Sequence, residues 1–591
     1  MEDARERYRR EREKRLRTDG LAQFQQFKGA FAEFDTDPNV EPDFEREPIV
    51  AEHEVLIVGG GFGGMLTAVG LIREGVEDFV IIEKGGDFGG TWYWNRYPGC
   101  MCDVESCTYL PLLEETGYMP KERYSSATEI FEHCQRIGNH FDLYRRAIFQ
   151  TEIADAVWDE DSGRWNITTS RNDRLTAKFF ITAGGILHKA KLPGIPGIED
   201  FGGHAFHTSR WDYAYTGGSA TEPMVNLADK RVAVIGTGAT GVQVVPQLAK
   251  SAKEVFVFQR TPSGVGVRDN GPTDAEWFKT LKPGWQKERM DNFTEAVTGE
   301  RPEVDLVSDG WTHVLWVTTQ DLSVNEGLEW EDLERSDFET MQELRDRVEA
   351  VVEDPDTAEK LKPWYGKHCK RVTFHDEYLA AFNEPNVHLV DTDGRGVTRI
   401  TENSVVVDDA EYPVDLLIFA SGFEVTTALV QRLGFDPVGR GGLKLSERWH
   451  DGAHTLHGIL TAEFPNMLVL STVQAGFGTN FVHFLVESSQ HIAWLVSTCM
   501  KEEFHSIEAT PEAEDAWIEN LWSIARGLAQ YSAVCTPGYY NSEGVITSLA
   551  ARNVTYPGNL LRYIEELHAW RKAGGFVGAR VVPSKSVSSE S

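Results

Sequence analysis

The strongest pattern along the chain is a short apolar run that breaks on glycines and resumes as a helix. Residues 53–75, HEVLIVGGGFGGMLTAVGLIREG, show it first, and a second apolar run, FVIIEK, follows at 79–84. Short apolar runs bounded by turn signals read as buried strands. The order strand, glycine turn, helix, strand reads as the opening of a doubly wound α/β unit. The same grammar returns in RVAVIGTGATGVQVVPQLAK (231–250) and EVFVFQR (254–260). NVHLVD (386–391) and VDLLIFASGF (414–423) look like later strands returning to the sheets. Elsewhere the pattern changes. Residues 1–50 are a charged helix, then FQQFKGAFAEF, then the Pro-containing DTDPNVEPDFEREP, which together read as an arm lying on the main body. From about 270 to 362 the chain is acidic and helical, as in DFETMQELRDRVEAVVED, and reads as an insertion. The segment from about 485 is mostly helical, with a Gly-Tyr-Tyr-Asn loop at 538–541.

The two glycine loops carry the first chemistry. Gly59, Gly61 and Gly64 satisfy GxGxxG directly after a strand. The first glycine makes the tight turn, the second lets the backbone approach a pyrophosphate, and the third lets helix and strand pack closely. The helix N-terminus offers N–H groups and a positive dipole end to phosphates. Glu83 closes the next strand, about 20 residues on, where a carboxylate grips ribose hydroxyls. Gly236, Gly238 and Gly241 repeat the frame, but the following strand ends in Gln259 and Arg260 instead of an acid. A carboxylate there would repel a 2′-phosphate, whereas an Arg can clamp one bidentately, so this site is expected to prefer NADP. Lys370 would add a second positive charge if the fold brings it near. Two dinucleotide modules in one chain suggest a flavin in one and a nicotinamide in the other. The first is assigned to FAD, because GGDFGGTWYWNRYPGCMCD (85–103) is suited to line an isoalloxazine ring. The expected architecture is α/β: two Rossmann-like dinucleotide-binding domains with a helical insertion and an N-terminal extension. Its segments are an extension (1–50), a first FAD-binding segment (51–185), a first NADP-binding segment (186–265), the insertion (266–363), a second NADP-binding segment (364–415), and a second FAD-binding segment with a C-terminal helical region (416–591).

Composition narrows the partners. A chain of 591 residues is too long for one core, and a net charge of −34 argues against nucleic acid and anionic membrane surfaces. No stretch approaches 18 apolar residues, so no membrane span is expected. The Arg-rich start also carries Glu and Asp, which spoils a signal or transit peptide. Seven cysteines, at 100, 102, 107, 134, 369, 499 and 535, form no disulfide framework for a chain this size, and a reducing cytoplasm fits. No metal site is expected.

NADPH reducing FAD leaves open where the electrons go next. A disulfide is one acceptor, since Cys102 and Cys107 have a CxxxxC spacing. A protein or quinone is a second, and O₂ is a third. Residues 201–212, FGGHAFHTSRWD, bear on the choice. Their apolar and polar positions follow neither a period of 2 nor one of 3.6, and they read as a connection. Phe201, Gly203, His207, Trp211 and Asp212 match FxGxxxHxxxW(P/D), which resembles the signature of Baeyer-Villiger monooxygenases. Gly90, Trp92, Tyr97, Pro98, Gly99 and Asp103 resemble that family's second signature, GxWxxxx(F/Y)P(G/M)xxxD. ASGF, at 420–423, resembles its (A/G)TG linker with Ser421 in place of Thr. The resemblance runs from about residue 51 to the end.

The resemblance implies an enzyme that turns ketones into esters or lactones with NADPH and O₂, through a flavin C4a-peroxide and a Criegee adduct. It implies Arg371 as the charge that stabilises the peroxide and then the adduct's oxyanion, with Asp103 orienting it beside the flavin. It implies FAD contacts at Glu83, Thr91, Trp92, Tyr109 and Ile153. It implies NADP contacts at Thr237, Gly238, Ala239, Thr240, Gly241, Gln243, Arg260, Thr261 and Lys370. His207, Trp211 and Asp212 would lie in a linker between the two domains, with His207 coupling domain rotation to redox state; a plain linker hydrogen bond is the other reading of His207. CTPGYYNSEG (535–544) and the extension resemble the branch containing cyclopentadecanone and steroid monooxygenases, which leans toward bulky cyclic or polycyclic ketones. Phe484, Tyr539 and Tyr540 are candidate pocket walls. The alternatives are a flavin enzyme that hydroxylates nitrogen or sulfur, a disulfide reductase, and a cofactor-bound interaction protein.

Overall fold

In the computed structural model the two glycine-loop units build two separate sheets. The described residues are 2–584, other than 26, 28, 42, 299–301, 316–329 and 546. The first sheet has seven strands. Val50–Val58 lies between Phe79–Ile82 and Arg174–Thr182, parallel to both, and Ala147–Ile148 extends the Phe79–Ile82 side. Arg164–Thr169 and Ile153–Asp159 continue antiparallel beyond Arg174–Thr182, which Met467–Val469 also joins in parallel. Val55, Leu56 and Ile57 are all fully buried, as expected for a parallel strand covered on both faces. One cover is the helix Phe62–Arg73, which packs on the helix Phe481–Lys501. The two approach so closely that a Cβ on Gly70 would sit 2.9 Å from that of Ala493.

The second sheet is parallel throughout, in the order Val387–Asp391, Glu254–Gln259, Arg231–Ile235, Leu416–Phe419, His204–His207. Two expectations change here. Leu416–Phe419, expected to open the second FAD-binding segment, pairs with Arg231–Ile235 in this sheet; its four residues are buried on both faces and fit a central position. Within 201–212, which reads as a connection, His204–His207 is the sheet's edge strand. Four residues are too few for a period to register, and an edge strand buries only part of its length.

The extension lies on the second sheet. Its helix Glu2–Arg15 leads to a short strand, Phe24–Gln25, paired antiparallel with Leu192–Pro193. Phe27, Phe31 and Phe34 then pack on that sheet's core. Arg46 ends the crossing with a bidentate pair to the buried Asp173, both contacts 2.6 Å. Within the insertion are the helices Ala275–Phe278, Trp285–Thr298, Gly310–Leu315, Trp330–Val351 and Pro355–Leu361; residues 299–301 and 316–329 of it lie outside the described residues. The C-terminal region adds the helices Pro511–Val534 and Leu560–Lys572; 585–591 lie outside the described residues.

Cysteine usage differs from the expectation. Cys369 and Cys535, 166 positions apart, are joined in a buried disulfide, a pairing that sequence spacing does not reveal. Cys100, Cys102, Cys107, Cys134 and Cys499 are free and buried. Among the described residues no helix is long and apolar enough to cross a membrane.

Candidate active site

Both glycine loops open on one continuous cavity of about 2320 Å³. Each loop turns on a glycine in the left-handed region, Gly59 at φ 106° and Gly236 at φ 116°. Each then starts a helix, Phe62–Arg73 or Ala239–Ala249, whose N-cap is a glycine with no side-chain cap. The first-turn N–H groups are thereby left for another acceptor. The third glycines are needed for a different reason. A Cβ on Gly64 would lie 1.9 Å from the Gly59 carbonyl oxygen, and one on Gly241 would lie 2.4 Å from that of Gly236. The chain therefore has two cradles that fit pyrophosphates. Beside the first, Glu83 is buried and accepts the Gly60 and Gly85 N–H groups at 2.5 and 2.6 Å. Those bonds bind the acid that follows the second strand to the glycine turn, where it could meet a ribose.

Most of the residues expected at cofactors line this cavity: Gly59, Gly61, Glu83, Thr91, Trp92, Asp103, Tyr109 and Ile153 around the first cradle, and Gly236, Thr237, Gly238, Ala239, Thr240, Gln243, Arg260, Thr261, Lys370 and Arg371 around the second. Gly64 and Gly241 stand just behind the wall, in the helices they allow to pack. Trp92 Nε1 donates to Tyr109 Oη at 3.0 Å. Gln243 joins the two units: it accepts from Tyr97 Oη at 2.8 Å and donates to the Met101 carbonyl at 2.8 Å.

Between the cradles the guanidinium of Arg371 grips Asp103 through two bonds, Nη2–Oδ1 at 2.6 Å and Nη1–Oδ2 at 2.8 Å. Asp103 is 5% exposed, while Arg371 keeps 33% of its side-chain surface and lines the cavity. Burial alone would lower the arginine's pKa, but the Asp103 carboxylate outweighs it and holds the guanidinium above its ordinary value. Burial would likewise raise the carboxyl, but the Arg371 charge and hydrogen bonds, helped by Arg268, hold it below the usual range. Trp311 fixes both partners: its Nε1 donates to the Asp103 carbonyl at 2.8 Å, and its ring lies 5.1 Å from Arg371 Cζ. The result is a permanent positive charge at the wall of the cavity.

Other expectations fall differently. Tyr539 and Tyr540 line the cavity, but Phe484 does not. Phe484 is 1% exposed and packs between Phe481 and Tyr563 in the core. Its helix turns Phe481 and Leu485 to the cavity instead, a rotation that one aromatic position cannot fix in advance. His207, Trp211 and Asp212 do not line it. His207 is fully buried, takes the Ser209 N–H on Nδ1 at 3.1 Å, and packs on Phe423 of the second linker. Burial, reinforced by Arg210, presses its pKa down to about 3, so the ring is neutral. Trp211 Nε1 donates to Thr216 Oγ1 at 3.1 Å, and Asp212 caps the helix Tyr213–Thr216.

Several residues of the second cradle escape sequence reasoning. Arg260 Nη1 donates to Gln23 of the extension at 2.5 Å, and Nη2 to Glu543 at 3.0 Å. Arg15 Nε donates to the Arg260 carbonyl and to Thr261 Oγ1, both at 3.1 Å. Lys191 extends over Phe24, its Nζ 3.7 Å from the ring centroid. No local motif connects these four segments; the only hint is the aromatic spacing of 24–34, which demands a surface to cover.

A family model described as Flavin-binding monooxygenase-like matches residues 52–275. A Baeyer-Villiger monooxygenase, ATR8, of Stachybotrys chlorohalonatus is 47% identical over 582 residues, 97% of this chain and 93% of its own length. The chain belongs to the Baeyer-Villiger monooxygenases. The neopentalenolactone D synthase of Streptomyces avermitilis is 46% identical, covering 97% of this chain and 98% of its own. Among solved structures, the polycyclic ketone monooxygenase of Thermothelomyces thermophila superposes with a TM-score of 0.93 at 38% identity, over 98% of this chain and 99% of that one. A steroid monooxygenase bound to NADP gives 0.75 at 26%, over 90% and 100%.

The cradles are separable. Gly64→Ala should weaken FAD retention on the order of 10- to 100-fold, the cost of overpacking a tight contact, and leave NADP⁺ binding intact; Gly241→Ala should do the reverse. Equilibrium dialysis with each dinucleotide reads both outcomes.

Proposed function

We propose that this Baeyer-Villiger monooxygenase binds FAD in the first cradle and NADPH in the second, and uses O₂ to convert bulky cyclic or polycyclic ketones to esters or lactones. Bound there, the flavin supplies hydride acceptance from NADPH and the activation of O₂. The observation that carries the reading is the Arg371–Asp103 pair, held between two dinucleotide cradles on one cavity. An Arg cannot lose its proton at working pH, so Arg371 offers an unconditional charge to the negative oxygen that develops as a ketone carbonyl is attacked. Asp103 holds the fork in place and leaves its outer edge to the cavity. Trp311, Tyr539 and Tyr540 put aromatic rings near the charge, which limits water around it.

Glu83 is suited to the flavin ribose, and Arg260 with Lys370 to the 2′-phosphate of NADP. Substrate size is supported by likeness to enzymes named for polycyclic ketones and steroids. A disulfide acceptor is disfavoured: Cys102 and Cys107 are unjoined and buried, and burial pushes both thiols above their ordinary pKa.

Oxygen-18 labelling tests the reaction. With ¹⁸O₂ and a panel of cyclic ketones, one labelled atom should enter each lactone; label found only on amines or thioethers in a parallel panel would overturn the assignment in favour of heteroatom hydroxylation. Arg371→Ala should lower kcat by about 10²–10³-fold at unchanged flavin content, as measured by product formation.

The coenzyme site should also respond to pH. Burial, then the charge of Arg260, presses the Lys370 ammonium down to about 8. Below that pH it is a cation available to the phosphate, whose second ionisation, near pH 6, is largely complete by about pH 7; above it the cation is lost. NADP⁺ affinity should therefore fall several-fold between pH 7 and pH 9, while NAD⁺ affinity stays flat. Lys370→Arg should abolish the slope, as read by calorimetric titration at each pH.

A further inference from the structure

The NADP end of the cavity already contains a carboxylate. Glu543 is 3% exposed, yet it reaches the cavity wall. Its Oε2 accepts from Arg260 Nη2 at 3.0 Å, and its Oε1 lies 4.0 Å from Lys191 Nζ. Lys370 feels the same carboxylate, together with Arg260 and Arg15. With Nη1 bonded to Gln23 and Nη2 to Glu543, both ends of the Arg260 fork are engaged. The guanidinium keeps further N–H donors, but a phosphate that takes them is seated beside these two partners and competes with the carboxylate for the same charge. Gln23 is neutral and can tolerate a neighbouring dianion; Glu543 is repelled by it.

The backbone that carries Glu543 is suited to yield. Ser542 and Glu543 are consecutive non-glycine residues in the left-handed region, at φ 51° and 58°. That conformation is sparsely populated for such residues and persists where contacts hold it. Here they include the ion pair and the Glu543 N–H bond to the Gly538 carbonyl at 2.8 Å. The same short loop carries Tyr539 and Tyr540, which lie near enough to Arg371 to act on its charge.

We propose that Glu543 is an internal competitor for the 2′-phosphate of NADP: its carboxylate holds the Arg260 fork while the site is empty, gives way when the phosphate binds, and returns to speed release of the coenzyme. The inference rests on the NADP reading above and adds to it a residue that sets both affinity and residence time. Because the competing group shares a loop with Tyr539 and Tyr540, occupancy of the phosphate site is felt at the catalytic arginine.

The test uses the full-length, FAD-loaded chain. Glu543→Gln keeps the shape and the acceptor but removes the charge. Calorimetric titration should show NADP⁺ and adenosine 2′-monophosphate binding at least about fivefold tighter than to the unaltered chain, with NAD⁺ within about twofold. Stopped-flow displacement should show NADP⁺ leaving correspondingly more slowly. Unchanged or weaker binding of adenosine 2′-monophosphate would overturn the proposal and make Glu543 a support for Arg260. If the variant does not retain FAD, the unaltered chain still decides: adenosine 2′-monophosphate should raise amide hydrogen exchange at 541–544, and no increase would overturn the proposal. An unaltered chain that binds NADP⁺ no better than NAD⁺ would overturn the coenzyme reading and this inference together, whereas clear NADP⁺ preference with an indifferent variant removes the inference alone.

Discussion

The geometry of the site depends on a paired charge. A guanidinium buried alone would be expelled or would collect water, and either outcome would spoil an apolar reaction chamber. Asp103 removes that difficulty by taking both inward-facing nitrogens of Arg371, while Trp311 fixes the acid through its backbone and the arginine through its ring. The three come from distant stretches of the chain: the glycine-aromatic segment after the first cradle, the helical insertion, and the stretch before Thr373–Phe374. Their meeting positions the insertion over the space between the two sheets. The acid is costly to bury without the arginine, and the arginine is costly to bury without the acid, so each region of the fold requires the other.

How much of this is legible in the sequence follows from how local each signal is. The glycine frames of the two cradles are legible, because strand, turn and helix, with Glu83 in the first and Arg260 in the second at the end of the next strand, lie within about thirty residues and each glycine has its own steric reason. Arg371 and Asp103 come only from resemblance to a family, since nothing local marks one arginine out from its neighbours. Phe484 shows the limit for helices: an aromatic can be named on a segment, but which side faces the cavity depends on how the helix rotates against Phe62–Arg73. His204–His207 shows the limit for edge strands, where four residues carry no period. Glu543, Gln23, Arg15 and Lys191 are out of reach altogether, because their meeting is a property of the folded chain and of no single stretch.

The extension changes the standing of the second cradle. A Rossmann unit normally offers its phosphate site to solvent at the strand ends. Here Phe24–Gln25 is added at Leu192–Pro193, and the residues just before it belong to the cavity wall. Arg12 of the same arm donates to the Cys535 carbonyl, and Cys535 is in turn tied covalently to Cys369, next to Lys370. One disulfide, one arm and one loop thus meet around Arg260 and Lys370.

That enclosure joins segments that lie far apart along the chain. The contact between Arg12 and Cys535 spans 523 positions, so during synthesis the arm leaves the ribosome long before the loop it must meet. Contacts of such separation form late, after the sheets they rest on. A nascent chain can form its first glycine turn early, yet this clamp stays open until residues 535–543 have emerged. Translation itself therefore sets how early the second cradle can be enclosed.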